Sequence, residues 1–162
     1  MIGRPRRGIG YALALASLMG LCAPLGAQAR VSVLPLQGLR FGKLVPGVAA
    51  VISPRDAARA ASFDLVGSGG VILRVSVPHS LESDGRSVLP LRFGPMDGRV
   101  VFPGLKQDLV FDPAEPVSFS IPPGAAGVKV YLGASVVPER EQVPGTYDAA
   151  IEVELVMAAV DS

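Results

Sequence analysis

The chain is poor in the residues on which metal sites, disulfide frameworks and carbohydrate platforms usually depend. It has one cysteine, Cys22, one histidine, His79, and no tryptophan among its 162 residues. A lone cysteine forms no intramolecular disulfide, and a single histidine cannot supply a histidine or cysteine metal cluster. These shortages exclude a disulfide-stapled domain, and we expect no metal ligands, no cofactor and none of the aromatic platforms typical of glycan sites.

The first 29 residues have the pattern of an export signal. Three arginines fall among the first seven residues, and residues 8–22 form an uncharged, mainly apolar run that is short for a membrane span. Residues 27–29, Ala-Gln-Ala, then place small side chains where a signal peptidase reads them. The sequence therefore predicts a signal peptide over 1–29, cleaved between Ala29 and Arg30, and a single domain over 30–162.

Two other readings of this leader are open. An uncleaved anchor would need a longer apolar run, and a lipoprotein attached at Cys22 would need a small residue in place of Leu21. Export leads us to expect the protein in the periplasm, at the cell surface or outside the cell, with membrane contact only through export itself.

Cleavage would also change the charge balance. The whole chain carries 15 basic and 14 acidic residues, and loss of the three leader arginines leaves 12 against 14, a net charge of −2. Nucleic-acid and anionic-lipid partners require a basic patch or stripe, which this balance does not supply. The remaining 133 residues suffice for one core that packing and hydrogen bonding alone must stabilise, because the cysteine leaves with the signal.

The end of the chain carries the clearest strand pattern. Side chains on a strand alternate between two faces, whereas a helix would scatter the same residues around its circumference. Residues 147–157 alternate with a period of two, so we predict one long, half-buried strand. Its acidic face carries Asp148, Glu152 and Glu154, and its core face carries Tyr147, Ala149, Ile151, Val153, Leu155 and Met157. Tyr147 has two possible roles. Its hydroxyl hydrogen-bonds to backbone at a corner of the fold, or the residue is simply an amphipathic aromatic at the edge of the core.

Similar patterns recur along the chain and set the fold class. Residues 128–136 alternate as another long strand, and the polar connection over 138–145 predicts that the last two long strands are antiparallel neighbours. Residues 67–70, Gly-Ser-Gly-Gly, have the length of a hairpin loop. Only residues 55–61 resemble a helix, and they are too few for more than one turn.

Eight to ten short strands, separated by turns rich in the 15 prolines and 19 glycines, indicate an all-β domain. Such strands bury a core either as two packed sheets or as one sheet closed on itself. We expect an immunoglobulin-like sandwich of antiparallel sheets.

The candidates for enzyme chemistry are weak, and we expect no catalytic residues. His79, Ser80 and Asp84 could form a triad in space, but no Gly-x-Ser-x-Gly elbow accompanies them. The carboxylates of Glu152 and Glu154 lie side by side on one strand face, without the cleft that glycosidase chemistry uses. The glycine-rich loop is followed by a strand and contains no lysine, unlike a phosphate-binding loop.

Three separated groups of motifs carry a resemblance to a known family. They are LRFG at 39–42 with Pro46-Gly47, ASFDLVG at 61–67 ahead of LRVSVP at 73–78, and VYLGA at 130–134 followed by PGTY at 144–147. In this order they resemble an uncharacterised domain-of-unknown-function family of secreted proteobacterial proteins, similar in layout to pilin-like and spore-coat-protein-U-like domains. Residues 81–124 and the tail after residue 157 do not follow the family pattern.

The resemblance implies a non-enzymatic structural or adhesive protein, most simply a pilin-like fimbrial subunit. Such subunits assemble by strand addition, either with copies of themselves or through a periplasmic chaperone and usher. The implied donor strand is the arm over 30–36, with Val31 and Val33 as plugs, and Pro35 limits its length because proline donates no backbone hydrogen bond.

Two alternatives stay open. The arm can instead be the first strand of a complete sandwich. A complete sandwich would favour a periplasmic or surface binding module for a glycan or an envelope protein, with its site in the loops over 79–126.

Overall fold

The computed structural model describes residues 30–83 and 87–158. The predicted signal peptide, including Ala29, and the triad candidate Asp84 lie outside these ranges. Within them every strand pairing is antiparallel, the remaining chain forms turns and loops, and no helix is long and apolar enough to cross a membrane.

The described residues form twelve strands, which are numbered in chain order. They are β1 (Ser32–Gln37), β2 (Ala50–Ile52), β3 (Ala61–Val66), β4 (Gly69–Ser76), β5 (Ser80–Glu82), β6 (Val88–Arg92), β7 (Gly98–Val101), β8 (Leu109–Phe111), β9 (Val117–Ile121), β10 (Val128–Leu132), β11 (Ala134–Val136) and β12 (Glu152–Met157).

Two of the sheets pack around the main core. The five-stranded sheet has the order β1-β3-β10-β7-β8, and the three-stranded sheet has the order β12-β4-β9. Alternation places one face of each sheet inward. Phe63 and Leu65 of β3, Leu73 of β4 and Val130 of β10 belong to the same buried cluster, which unites the two sheets. The architecture is therefore all-β, antiparallel and β-sandwich-like.

A four-stranded sheet, β2-β11-β6-β5, adds a second and smaller core. Leu89, Leu91, Ala134 and Val136 form its buried centre. This sheet connects to the five-stranded sheet through the step from β10 to β11, and to the three-stranded sheet through the step from β4 to β5.

The predicted long strand over 128–136 is divided at Gly133. The alternation continues through the break, since Val128, Val130, Leu132, Ala134 and Val136 are all buried. However, β10 pairs in the five-stranded sheet and β11 in the four-stranded one. Gly133 passes so close to the backbone of Ile52 and Pro54 that a Cβ atom would clash there, and its N–H donates to the Asp97 carbonyl at 2.7 Å.

Two predicted pairings are wrong. β12 is not a neighbour of β10 or β11 but pairs with β4, and β3 does not form a hairpin with β4. In each case the connecting segment crosses from one sheet to another instead of returning beside its own strand. The step from β3 to β4 uses Gly67 and Gly69 at positive φ, and a Cβ at Gly67 would clash with the backbone of Arg30 and Val31.

The final strand is shorter than the pattern predicts. It begins at Glu152, five residues after Tyr147. Ile151, Val153 and Leu155 are half-buried and pack against the main core, whereas Ala149 and Met157 are exposed. Glu152 and Glu154 are exposed on the opposite face.

Candidate functional site: a groove between two edge strands

A groove of about 1430 Å³ opens between β1 and β12. These strands are the edges of the two sheets that pack around the main core, and each has one hydrogen-bonded neighbour among the described strands. Val33 and Pro35 of β1 line one wall, and Ile151 and Val153 line the other. The two edges therefore stand apart with an opening between them.

The floor of the groove is made of core residues. Phe63 and Leu132 belong to the main core, and Leu89 and Leu91 belong to the smaller one. All four are buried, so the groove reaches down to the packed interior of both clusters. An apolar occupant would thus extend the core instead of resting on a polar surface.

Some positions along the groove carry small side chains and leave space beside them. Gly38 and Ala61 both line the groove, and a Cβ atom added at Gly38 would have no neighbour within 4 Å. Pro35, beside them in β1, is itself exposed. No large side chain among these three positions projects across the gap between the strands.

Hydrogen bonds fix a corner of the chain just before β12. The Tyr147 hydroxyl donates to the Val143 carbonyl at 2.6 Å and accepts from the Gln142 amide at 2.7 Å. The Tyr147 ring packs against the smaller core, so this residue serves both as a corner tie and as a core-edge aromatic. Backbone bonds in both directions between Glu82 and Asp148, at 2.9 and 3.0 Å, fix the chain just beyond the corner.

Charges are distributed unevenly around the groove. Arg40 and Lys43 lie in the segment that follows β1 and line that side. The outer face of β12 is acidic, with Glu152 and Glu154, and the Glu154 carboxylate lies 3.8 Å from Arg74 of β4. Because both members of that ion pair are more than half exposed, it contributes little to stability.

The predicted donor residues lie within their own domain. Val31 and Val33 are half-buried against the main core, and Val33 is paired with Leu65 of β3. Cleavage before Arg30 would leave only Arg30 and Val31 ahead of β1. A donor strand containing both valines would therefore have to leave β3 of its own chain, and the donor role stays a prediction.

Of the triad candidates, His79 and Ser80 lie within the described residues, and Asp84 lies outside them. His79 is exposed, and its carbonyl accepts a hydrogen bond from the Leu91 N–H at 2.9 Å. Ser80 follows it in β5. In residues 30–83 and 87–158, no group of three histidine, cysteine, aspartate or glutamate side chains is placed to hold a metal ion.

Sequence reasoning missed the groove because its walls are far apart in the chain. Val33 and Ile151 meet across it only after both sheets have formed. The segment after β1 carried one signal, the apolar pair Leu39 and Phe41, but it packs on the smaller core as a loop and not as a strand. The case for a role rests on this geometry, since no protein-family model and no curated protein matches the sequence.

Proposed function

We propose that the protein is an exported, non-enzymatic structural or adhesive subunit of the cell envelope, with an immunoglobulin-like, pilin-like sandwich. Its groove accepts an extended strand from another polypeptide. The observation that carries this proposal is the gap between β1 and β12, which has two strand edges as walls and core residues as its floor.

The dimensions favour a strand over a small molecule. Pockets for small ligands usually enclose about 300–1,000 Å³, and this groove is larger. The six residues of β12 offer an edge about 20 Å long, at roughly 3.3 Å per residue. A strand of similar length would present about three side chains to the floor, and burial of each valine or leucine side chain contributes about 1.5–3 kcal/mol.

Backbone groups supply the second driving force. An edge strand presents a row of N–H and C=O groups that can pair with an added strand. Strand addition would satisfy these groups and cover the apolar floor in one step. The donor is a second copy of the chain, giving a homopolymer, or a partner delivered by a periplasmic chaperone and usher.

A self-complete binding module is the second candidate, and the pairing of β1 favours it. β1 pairs with β3 of its own chain from Ser32 to Gln37, so the five-stranded sheet already contains its first strand. Polar groups of Gln142 and Tyr147 also reach the groove, where they could orient a glycan or a loop of an envelope protein.

Assembly state tests whether the donor is a second copy of the chain. The exported chain would be compared with Val153→Glu, which places a carboxylate on the groove wall, and with Val110→Glu, the same substitution at an exposed position of β8 outside the groove. Thermal unfolding followed by circular dichroism would establish that each variant folds.

If the donor is a second copy of the chain, the native chain and Val110→Glu should give SDS-resistant ladders on unheated gels, and folded Val153→Glu should give none. Monodisperse monomers in all three, each unfolding cooperatively, would contradict the homopolymer and leave two possibilities, a strand donated by a different protein or a self-complete binding module.

A further inference from the structure

The two walls of the groove differ as templates for an added strand. β1 contains Pro35, which has no N–H to donate, and its pairing with β3 shifts register between Pro35 and Gln37. β12 contains no proline and pairs with β4 without a shift over all six residues, from Glu152 to Met157. The free edge of β12, on the side away from β4, is therefore a more regular template for an added strand than the free edge of β1.

A strand added to β12 would meet two rows of side chains. Val153 and Leu155 face the core, so the inward side chains of the added strand would lie beside them in the groove. Glu152 and Glu154 face solvent. Residues directly opposite each other on antiparallel strands have Cβ atoms about 4.5–5.5 Å apart, close enough for charges to interact.

Glu152 and Glu154 form an acidic row on β12, and this row already has a basic neighbour on β4. Glu154 is paired with Arg74 of β4, and their charged groups are 3.8 Å apart. Glu152 is paired with Ser76 and makes no ion pair among the described residues. Like charges placed opposite each other destabilise a strand pair, so this row opposes pairing between two copies of β12 and favours an added strand with basic residues facing solvent.

Because β12 of a second copy would bring like charges together and the arm over 30–36 is already paired with β3 in its own chain, we infer that the occupant of the groove is an extended segment of a different protein, which pairs with β12 and alternates apolar residues facing inward with basic residues facing outward. This inference rests on the proposed strand-acceptor function and adds the identity of the acceptor strand and the charge pattern of its partner. Arg40 and Lys43, on the opposite side of the groove, would direct the basic face of the segment toward β12.

Two peptides with the length of β12, six residues, provide the test. One alternates lysine with valine, and the other alternates glutamate with valine. Each is labelled and titrated with the full chain, and binding is followed by fluorescence anisotropy at about 0.05 M and about 1 M salt. We expect the lysine peptide to bind about tenfold more tightly at low salt, with a smaller preference at high salt.

Two variants with the same change in charge test whether the preference for the lysine peptide arises at β12. Glu152→Lys should lower the preference for the lysine peptide by about threefold or more. Glu115→Lys makes the same charge change at an exposed position between β8 and β9, and should leave the preference near its native value.

The outcomes separate this inference from the function on which it rests. Equal binding of both peptides, or equal effects of the two variants, would contradict the preference for a basic strand. Neither result would contradict the claim that the groove accepts a strand. If neither peptide bound, the result would count against strand acceptance itself, and the charge preference would fall with it.

Discussion

The two lateral edges of the sandwich are closed in different ways. At the edge formed by β8 and β9, Phe111 and Ile121 are 7% and 1% exposed. At the edge formed by β1 and β12, the core-facing Val33 and Val153 are only half-buried, and the groove reaches the core. The core is therefore covered at one edge of the sheet pair and reached by an open groove at the other.

Local packing explains the closed edge. The Phe111 ring lies against Gly98, where an added Cβ would come within 2.6 Å of the ring. Phe102 and Phe119 meet edge to face, with centroids 5.7 Å apart, a geometry that aromatic pairs prefer. Pro113, in the short connection from β8 to β9, is also buried.

Connectivity adds to the difference. Residues 112–116 link β8 directly to β9, so one short loop spans the closed edge. β1 and β12 stand near the two ends of the described chain, and within residues 30–83 and 87–158 no loop links one directly to the other. Under the strand-acceptor proposal, an added strand would close that edge.

Truncation of one core-facing residue at each edge should give the largest contrast. Ile121→Ala would leave a cavity at the closed edge and should lower the free energy of unfolding by about 2–5 kcal/mol. Val153→Ala acts at a half-buried position that already borders the groove, so its cost should be about 1 kcal/mol or less. Urea denaturation of both variants measures the difference, and equal losses would show that the β12 edge is packed as tightly as the β9 edge.

Addition of one methyl group at each edge should have a smaller effect. Gly98→Ala forces the Phe111 ring to move and should cost about 1–3 kcal/mol. Gly38→Ala meets no atom within 4 Å and should change stability by no more than about 0.5 kcal/mol. Thermal unfolding ranks the two variants, and a large loss at Gly38 would mean that the groove is filled in solution.

Removal of the corner hydroxyl should have the smallest effect of the three. Tyr147→Phe deletes the hydrogen bond to the Val143 carbonyl and should cost about 1 kcal/mol. Tyr131→Phe is the control, because among the described residues the Tyr131 hydroxyl makes no hydrogen bond within the chain. Equal stability of the two variants in urea would show that the hydrogen bonds of the Tyr147 hydroxyl do not stabilise the fold.

The sequence predicted local features well because strand faces are encoded by neighbouring residues. Alternation over 128–136 identified five residues that are all buried, and the all-β antiparallel class is confirmed. Sheet membership depends on contacts between distant residues. Gly133 sends the two halves of that segment into different sheets because its backbone packs against Ile52, and alternation alone carries no sign of this contact.

The groove was beyond prediction for the same reason. Its walls come from opposite ends of the described chain, and no local pattern in either segment records how far apart the two strands stand. The resemblance suggested strand addition, and it assigned the arm with Val31 and Val33 as donor. The structure pairs that arm with β3 of its own chain, and we propose the free edge of β12 as the acceptor.

Amide hydrogen exchange of the full chain, with and without the peptide that alternates lysine and valine, tests strand acceptance most directly. Alternate amides of Glu152–Met157 already face β4, and the others face the groove. Added peptide should slow exchange of the groove-facing set in β12 and leave β9 unchanged. Unchanged exchange throughout β12, or equal slowing in β9, would contradict the claim that the groove between β1 and β12 receives a strand.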